Sequence, residues 1–428
     1  MALDNLTIFG VDYSGVTGFK ARNSQSSTMS YVRPEGTSNI TSNGTYDVAF
    51  YSAVSVNVSG GGGYTIDEIA RRYTISGWIS GSASVIGNYA FAGTNTVKAT
   101  FSQAEYIWQY AFAQCSISAV ESTDFPACKT IGLFAFQSCA RLTEVYFPSV
   151  STINANAFQT CSKLVSVYLP SAKNIGALTF QGCASLQTIS APIVESIGNS
   201  AFAHCGVLSQ VAFPSATSIG QSTFLWCSHL TNVSLPEATS IPYSAFASCS
   251  ALSSVYGPKV TYIGTNAFVD CSSFSSVYFP ALVEAGSSAF RYMRGMHTAN
   301  LPLLETVGSS AFYGCSNLTT VTTDNIKSIY IYAFAGCSML TEISLPAVKN
   351  ISNFAFDDCY RLVSVNLTGV SSVPAFGGYT VFTSTPISTY SAVAGQYGSI
   401  YVPASLYAAF TTATGWSYYS SRMVSVSV

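Results

Sequence analysis

The chain has 428 residues, of which 48% are hydrophobic and only 8% charged, and its net charge is -2 at pH 7. With charge so far below the usual quarter of residues, solubility rests on Ser, Thr, Asn and Tyr. There is no basic stripe to suit nucleic acid or an anionic membrane surface, and no apolar window long enough to cross a bilayer.

Met1-Ala2-Leu3-Asp4-Asn5 lacks the basic-then-apolar pattern of a secretory leader, which points to no export by that route or to a leader already removed. Residues 1–59 do not repeat. Apolar and polar residues alternate between Gly, Asn and Pro, which predicts short strands at 6–9, 10–13, 28–32, 44–48 and 54–58. Residues 60–63 are all glycine and form a tether. Residues 64–83 are expected to cap the repeats that begin at 84, with a short helix over 66–72.

The repeats begin imperfectly at Ala90-Phe91 and Ala111-Phe112, within a repeat region of 84 to about 373, and then keep a 22-residue period. Cysteines recur from Cys139 to Cys359, with Met293 at the one missed beat, and phenylalanines recur without a gap from Phe136 to Phe356. A fixed period of this length means stacked supersecondary units, each touching only its neighbours. The fold class expected is a β-rich α/β solenoid of 22-residue coils. In the coil at 131–152, Val145 and Phe147 alternate with Glu144 and Tyr146, so a short strand points the first pair inward. Pro148 ends that strand, and Val150 and Ile153 open a second inward stretch. Ala157, Phe158 and Cys161 have the spacing of a single helical turn. The glycines at 176, 198, 220, 264, 286 and 308 mark a turn that uses a permissive backbone.

The period falters twice. Cys115 and Cys139 are 24 residues apart, so two extra residues bulge near 121–124. Arg291-Tyr292-Met293-Arg294-Gly295-Met296-His297 keeps the length but brings in charge. Residues 374–428 lose the period and are expected to form an α+β cap: a strand at 399–403, a helix at 404–413, and a lid of Trp416, Tyr418 and Tyr419.

The unit Ile-Gly-x-x-Ala-Phe-x-x-Cys-x-x-Leu-x-x-Val-x-Leu-Pro resembles the BspA-type leucine-rich repeat, and the closing Ile400-Tyr401-Val402-Pro403 with Trp416 resembles the segment that ends many such arrays. The resemblance implies a leucine-rich-repeat solenoid in an adhesin or host-interaction protein. In the N-terminal region, Val11-Asp12-Tyr13, Val16-Thr17-Gly18-Phe19-Lys20-Ala21 and Ile40-Thr41-Ser42-Asn43-Gly44-Thr45-Tyr46-Asp47-Val48 are similar to short modules of tail-associated proteins of phages and prophages of gut Gram-positive bacteria. That similarity implies a virion protein docked through 1–59 to a structural partner, with the repeats meeting a host-surface or mucosal glycan or protein. A bacterial surface adhesin and a purely structural virion decoration are the alternatives.

No catalytic pattern is present, neither GxSxG, HExxH nor a phosphate-binding loop, and no cofactor is implied. His204, His229 and His297 lack ligand spacing and there is no CxxC pair, so no metal site is expected. In-register coils hold cysteine side chains parallel, which disfavours disulfides. The expected recognition surface is the outward strand face: Glu144 with the adjacent-rung pairs Tyr146 with Tyr168 and Tyr256 with Tyr278. Tyrosine suits sugar stacking and protein contacts, and it also simply favours β structure. Arg291, Arg294 and His297 form a second patch, either a ligand contact or a tolerated variant coil.

Overall fold

The computed structural model describes residues 84–388 and 397–427 in full and, before them, the backbone of a set of strands. The chain divides into two compact units, Met1–Ala216 and Thr217–Val428. In each, the described repeats form a parallel β-solenoid with about 22 residues to a coil.

In the first unit, Phe19–Asn23 pairs antiparallel with Ser30–Val32 and Tyr46–Phe50. This three-stranded sheet is separate from the repeat sheets. Ala53–Val58 instead runs parallel to Ile75–Gly81, which runs parallel to Asn95–Phe101. Ile66 closes the strand Thr65–Ile66, which pairs parallel with Val85–Ile86, and does not open a helix. The rest of the expected helix and the glycine tether lie outside the described residues.

Each coil then has three sides. A two-residue strand forms the first, as in Thr130–Ile131, Thr152–Ile153, Asn174–Ile175 and Ser196–Ile197, all parallel and in register. A three-residue strand forms the second, as in Glu144–Tyr146, Ser166–Tyr168 and Thr188–Ser190. Alternation works as expected there: Val145 and Phe147 are buried, Glu144 is exposed and Tyr146 half-buried.

The third side corrects the expected helical turn. Its backbone N–H groups alternate between two destinations. Those of Ala135, Gln137 and Cys139 bond within the coil, to the carbonyls of Gly132, Phe134 and Phe136. Those of Phe134, Phe136 and Ser138 bond to the next coil, at Ala155, Ala157 and Gln159. A helix would spend its N–H groups on carbonyls four residues back in the same coil; here half of them join neighbouring rungs. The geometry requires left-handed backbone twice per coil, at Phe134 (φ 57°) and Ser138 (φ 56°), then at Asn156 (61°) and Thr160 (56°). Such residues carry roughly 1–2 kcal/mol of strain each, offset by closing the ladder. The glycines noted above serve a different need. Gly176 has no left-handed backbone; a Cβ there would lie 2.6 Å from Ala155 N, so the missing side chain lets two coils approach. The column still admits Asn154, Pro242 and Tyr330, so this approach is set rung by rung.

The core is two ladders. Phe136, Phe158 and Phe180 are fully buried and stack at 5.1 and 5.4 Å, nearly parallel. Beside them the thiols of the cysteine column donate to carbonyls of the preceding coil, as in Cys161 Sγ to Phe136 O at 3.1 Å and Cys183 Sγ to Phe158 O at 3.2 Å. The sulfurs therefore aim at backbone and not at one another, and all twelve cysteines are free and buried. Burial pushes Cys115, Cys128 and Cys205 up to about 12, so they stay protonated. The bulge at 121–124 is organised by Asp124, also buried. Its carboxylate accepts from Thr100 Oγ1 at 2.9 Å and from Glu121 N at 2.8 Å.

The second unit repeats the plan. Two-residue strands run in register through Ser240–Ile241, Tyr262–Ile263, Glu284–Ala285, Thr306–Val307, Ser328–Ile329 and Asn350–Ile351. Met293 fills the cysteine position without a thiol donor and is fully buried, so at that rung filling volume suffices. Stacking continues past the point where the sequence period stops. Ala375–Phe376 pairs with Asn350–Ile351, and Phe382 stacks on Phe356 at 5.5 Å. Ser399–Pro403 and Met423–Val426 add two more parallel strands. Between them lie a short helix, Tyr407–Thr412, and a 3-10 segment, Trp416–Arg422. Trp416 stacks on Phe376 at 3.8 Å and donates Nε1 to Pro374 O, and Tyr419 donates to Tyr379 O. Tyr418 is exposed and meets the Tyr379 ring edge to face at 5.8 Å.

Candidate recognition surface

On the second side of each coil, side chains alternate between facing in and facing out, as strand geometry requires. Parallel pairing of Glu144–Tyr146 with Ser166–Tyr168 and of that strand with Thr188–Ser190 places equivalent outward residues side by side. The result in the first unit is a shallow depression of about 580 Å³, lined by Glu121, Glu144, Tyr146, Ser166, Tyr168 and Ser190 among others. Tyr146 and Tyr168 meet edge to face at 4.6 Å and 82°. Tyr168 is 43% exposed, leaving ring surface and hydroxyl free for a ligand. Glu144 supplies an acceptor at the same wall.

The other tyrosine pair differs. Tyr256 and Tyr278 are 60% and 61% exposed, yet their strands belong to different sheets and their rings make no contact. The second unit has a depression of about 570 Å³ on its own strand face, lined by Thr320, Glu342, Ser344, Asn366 and Tyr401 among others. Its lining is polar and holds no tyrosine pair.

Arg291 and Arg294 lie elsewhere, on the turn side of their coil, against Tyr292. His297 is exposed and precedes the strand Thr298–Asn300, so the three residues do not share one side. One exposed feature escaped the sequence reading. Trp108 stands in the column otherwise rich in glycine and stacks beside Tyr106 at 5.9 Å, with Leu133 also exposed. A tryptophan in a glycine column was the available signal.

Among the described residues no group of His, Cys, Asp and Glu is arranged to hold a metal, and no helix is long and apolar enough to cross a membrane. Several surface charges pair from rung to rung: Lys129 with Glu105 at 2.9 Å, Lys259 with Glu237 at 2.5 Å, Lys327 with Glu305 at 2.6 Å. Exposed pairs of this kind contribute about 0–1 kcal/mol.

The sequence profile described as BspA type leucine rich repeat region (6 copies) matches residues 78–187, 151–275 and 261–388, well over half the chain. No curated protein sequence matches. Among solved structures, a leucine-rich repeat protein from Bacteroides ovatus is similar at 24% identity, over 70% of this chain and 88% of its own, with a TM-score of 0.43. A leucine rich cell surface protein from Faecalibacterium prausnitzii is similar at 19% identity, over 83% and 90%, with a TM-score of 0.38. The pneumococcal vaccine antigen PcpA is similar at 16% identity, over 88% and 95%, with a TM-score of 0.37.

Proposed function

Starting from the fact that this chain belongs to the BspA-type leucine-rich-repeat family, we propose that it is a non-catalytic recognition protein displayed on a surface. Its ligand is a host or mucosal glycan or protein, met by the strand face of the first unit. The observation that carries this is the depression holding Tyr146 and Tyr168 in ring contact, with Glu144 at its wall. Aromatic pairs on a rigid frame lose little entropy on binding and offer both an apolar face and a hydroxyl.

The test is binding of the full chain to immobilised mucin. Replacing both tyrosines, Tyr146→Ser with Tyr168→Ser, is expected to weaken binding roughly tenfold or more while leaving the melting temperature unchanged. Equal binding by wild type and variant overturns the assignment of this face, and a wild type that ignores mucin favours a decorative or spacer role.

Where the protein is displayed is a separate part of the proposal. The antiparallel sheet of Phe19–Asn23, Ser30–Val32 and Tyr46–Phe50 is distinct from the repeat sheets, which favours an attachment module. Together with the likeness of this region to phage tail modules, it supports docking to a virion structural protein. A bacterial cell surface is the alternative location. Finding the protein in purified phage particles, as against the cell envelope, separates the two.

A further inference from the structure

The coil that lacks its cysteine gathers charge. Arg291 places its guanidinium carbon 4.6 Å from the centre of the Tyr292 ring and 5.0 Å from that of Tyr313, and Arg294 places its own 4.9 Å from Tyr292. Arg291 Nη2 donates to the Tyr292 hydroxyl at 3.1 Å. Its Nε is buried and has no acceptor. The ion pairs of the described residues all use lysines, and neither arginine has a carboxylate within pairing distance. Two cations thus share one ring unneutralised, in a chain with only 17 Lys and Arg. Like charges so placed repel. An anion held by both guanidinium groups removes that repulsion. The planar guanidinium fork suits the paired oxygens of a carboxylate or sulfate.

The surroundings narrow the ligand. Tyr292 and Tyr313 meet at 5.6 Å, Tyr313 and Tyr332 at 6.5 Å, and Tyr332 and Phe354 at 5.0 Å. None of these rings is fully covered. Tyr292 lies down against Gly314 of the next coil, where a Cβ would come within 2.6 Å of its ring. A track of half-open aromatic rings therefore runs across successive rungs from the two arginines. Such rings pack against the C–H faces of sugars. We infer that this turn face binds an acidic saccharide, with its carboxylate or sulfate held by Arg291 and Arg294 and its sugar rings lying along Tyr292, Tyr313 and Tyr332. The inference rests on the recognition role proposed above but uses the turn side of the coils and not their strand face.

The test is calorimetric titration of the full chain with polygalacturonate, dextran sulfate, uncharged dextran and polyglutamate. At least one acidic polysaccharide binds, weakening as salt is raised, and the stronger of the two identifies the anion. Arg294→Gln, at an exposed position, weakens binding roughly tenfold, and Arg291→Gln with Arg294→Gln abolishes it. Tyr146→Ser with Tyr168→Ser leaves this binding intact, so failure of the strand-face reading and failure of this one are separate results. The inference is overturned if both acidic polysaccharides bind no better than dextran, if polyglutamate binds as tightly as they do, or if Arg294→Gln binds like the wild type.

Discussion

The folded chain loses stability steeply as the pH rises past the ordinary thiol value of 9.0. The cause is the cysteine ladder. Cys115, Cys128, Cys205 and Cys315 are each pushed up to about 12 because burial disfavours the thiolate. Cys139, Cys183, Cys271 and Cys337 move the same way for the same reason. In the unfolded chain these groups ionise near 9.0. A pKa raised by folding gives stability that is whole below the unfolded value and lost as pH climbs towards the folded one. Between 9.0 and about 12, each of the first four costs roughly 1 kcal/mol per pH unit. One pH unit above 9.0, the four thiols at about 12 have together lost about 4 kcal/mol. Denaturant midpoints measured from neutral pH upwards should fall sharply beyond 9.0, and the thiolate absorbance of these cysteines should appear only with unfolding. Thiolate absorbance that grows gradually in the folded protein, with a flat midpoint, would contradict the burial of the ladder.

Phe158→Ala is expected to destabilise the first unit by about 3–5 kcal/mol. Phe158 is fully buried and stacks on Phe136 at 5.1 Å and on Phe180 at 5.4 Å. Truncation removes its own burial and leaves a cavity whose walls are rings on both neighbouring coils. Those rings are held by ladders on all three sides and collapse little, so most of the cavity penalty remains. Phe158→Leu keeps much of the volume and should cost less. Chemical denaturation of the two variants checks this ordering, and a loss below about 1 kcal/mol for the alanine variant would mean the ring column is not the core.

How much of this could be read beforehand depends on which physical signals reach the sequence. The period and the inward faces were legible because each rung makes the same demand, so Phe136, Phe158 and Phe180 repeat and Val145 alternates with Glu144. The turn side was not. Ala157, Phe158 and Cys161 have helical spacing, but the alternating destinations of the backbone N–H groups leave no mark on side-chain type. Left-handed backbone falls on Phe134, Leu178 and Tyr332, residues that do not announce it. The last coils were hidden because their connections lengthen: Phe382 joins the stack although it misses the expected beat after Phe356. For the candidate site, Tyr146, Tyr168 and Glu144 were legible from column position. The equivalent positions of Tyr256 and Tyr278 suggested a similar pair, but pairing of their strands is interrupted. Arg291 and Arg294 stood out by composition alone. Their shared ring, and their separation from His297, needed three dimensions.

The central claim is that coils stack in register, one period per rung. Its most direct test is a paired deletion in the first unit, read by thermal melting and far-UV spectra. Removing residues 152–173 joins Ser151 to Asn174, the register partner of Thr152, and takes out one whole rung. Removing residues 152–162 takes out half a rung and throws every later column off its ladder. The whole-rung deletion should keep a cooperative, native-like fold with a modest loss of stability, and the half-rung deletion should unfold the unit. Equal damage from both deletions would contradict the account.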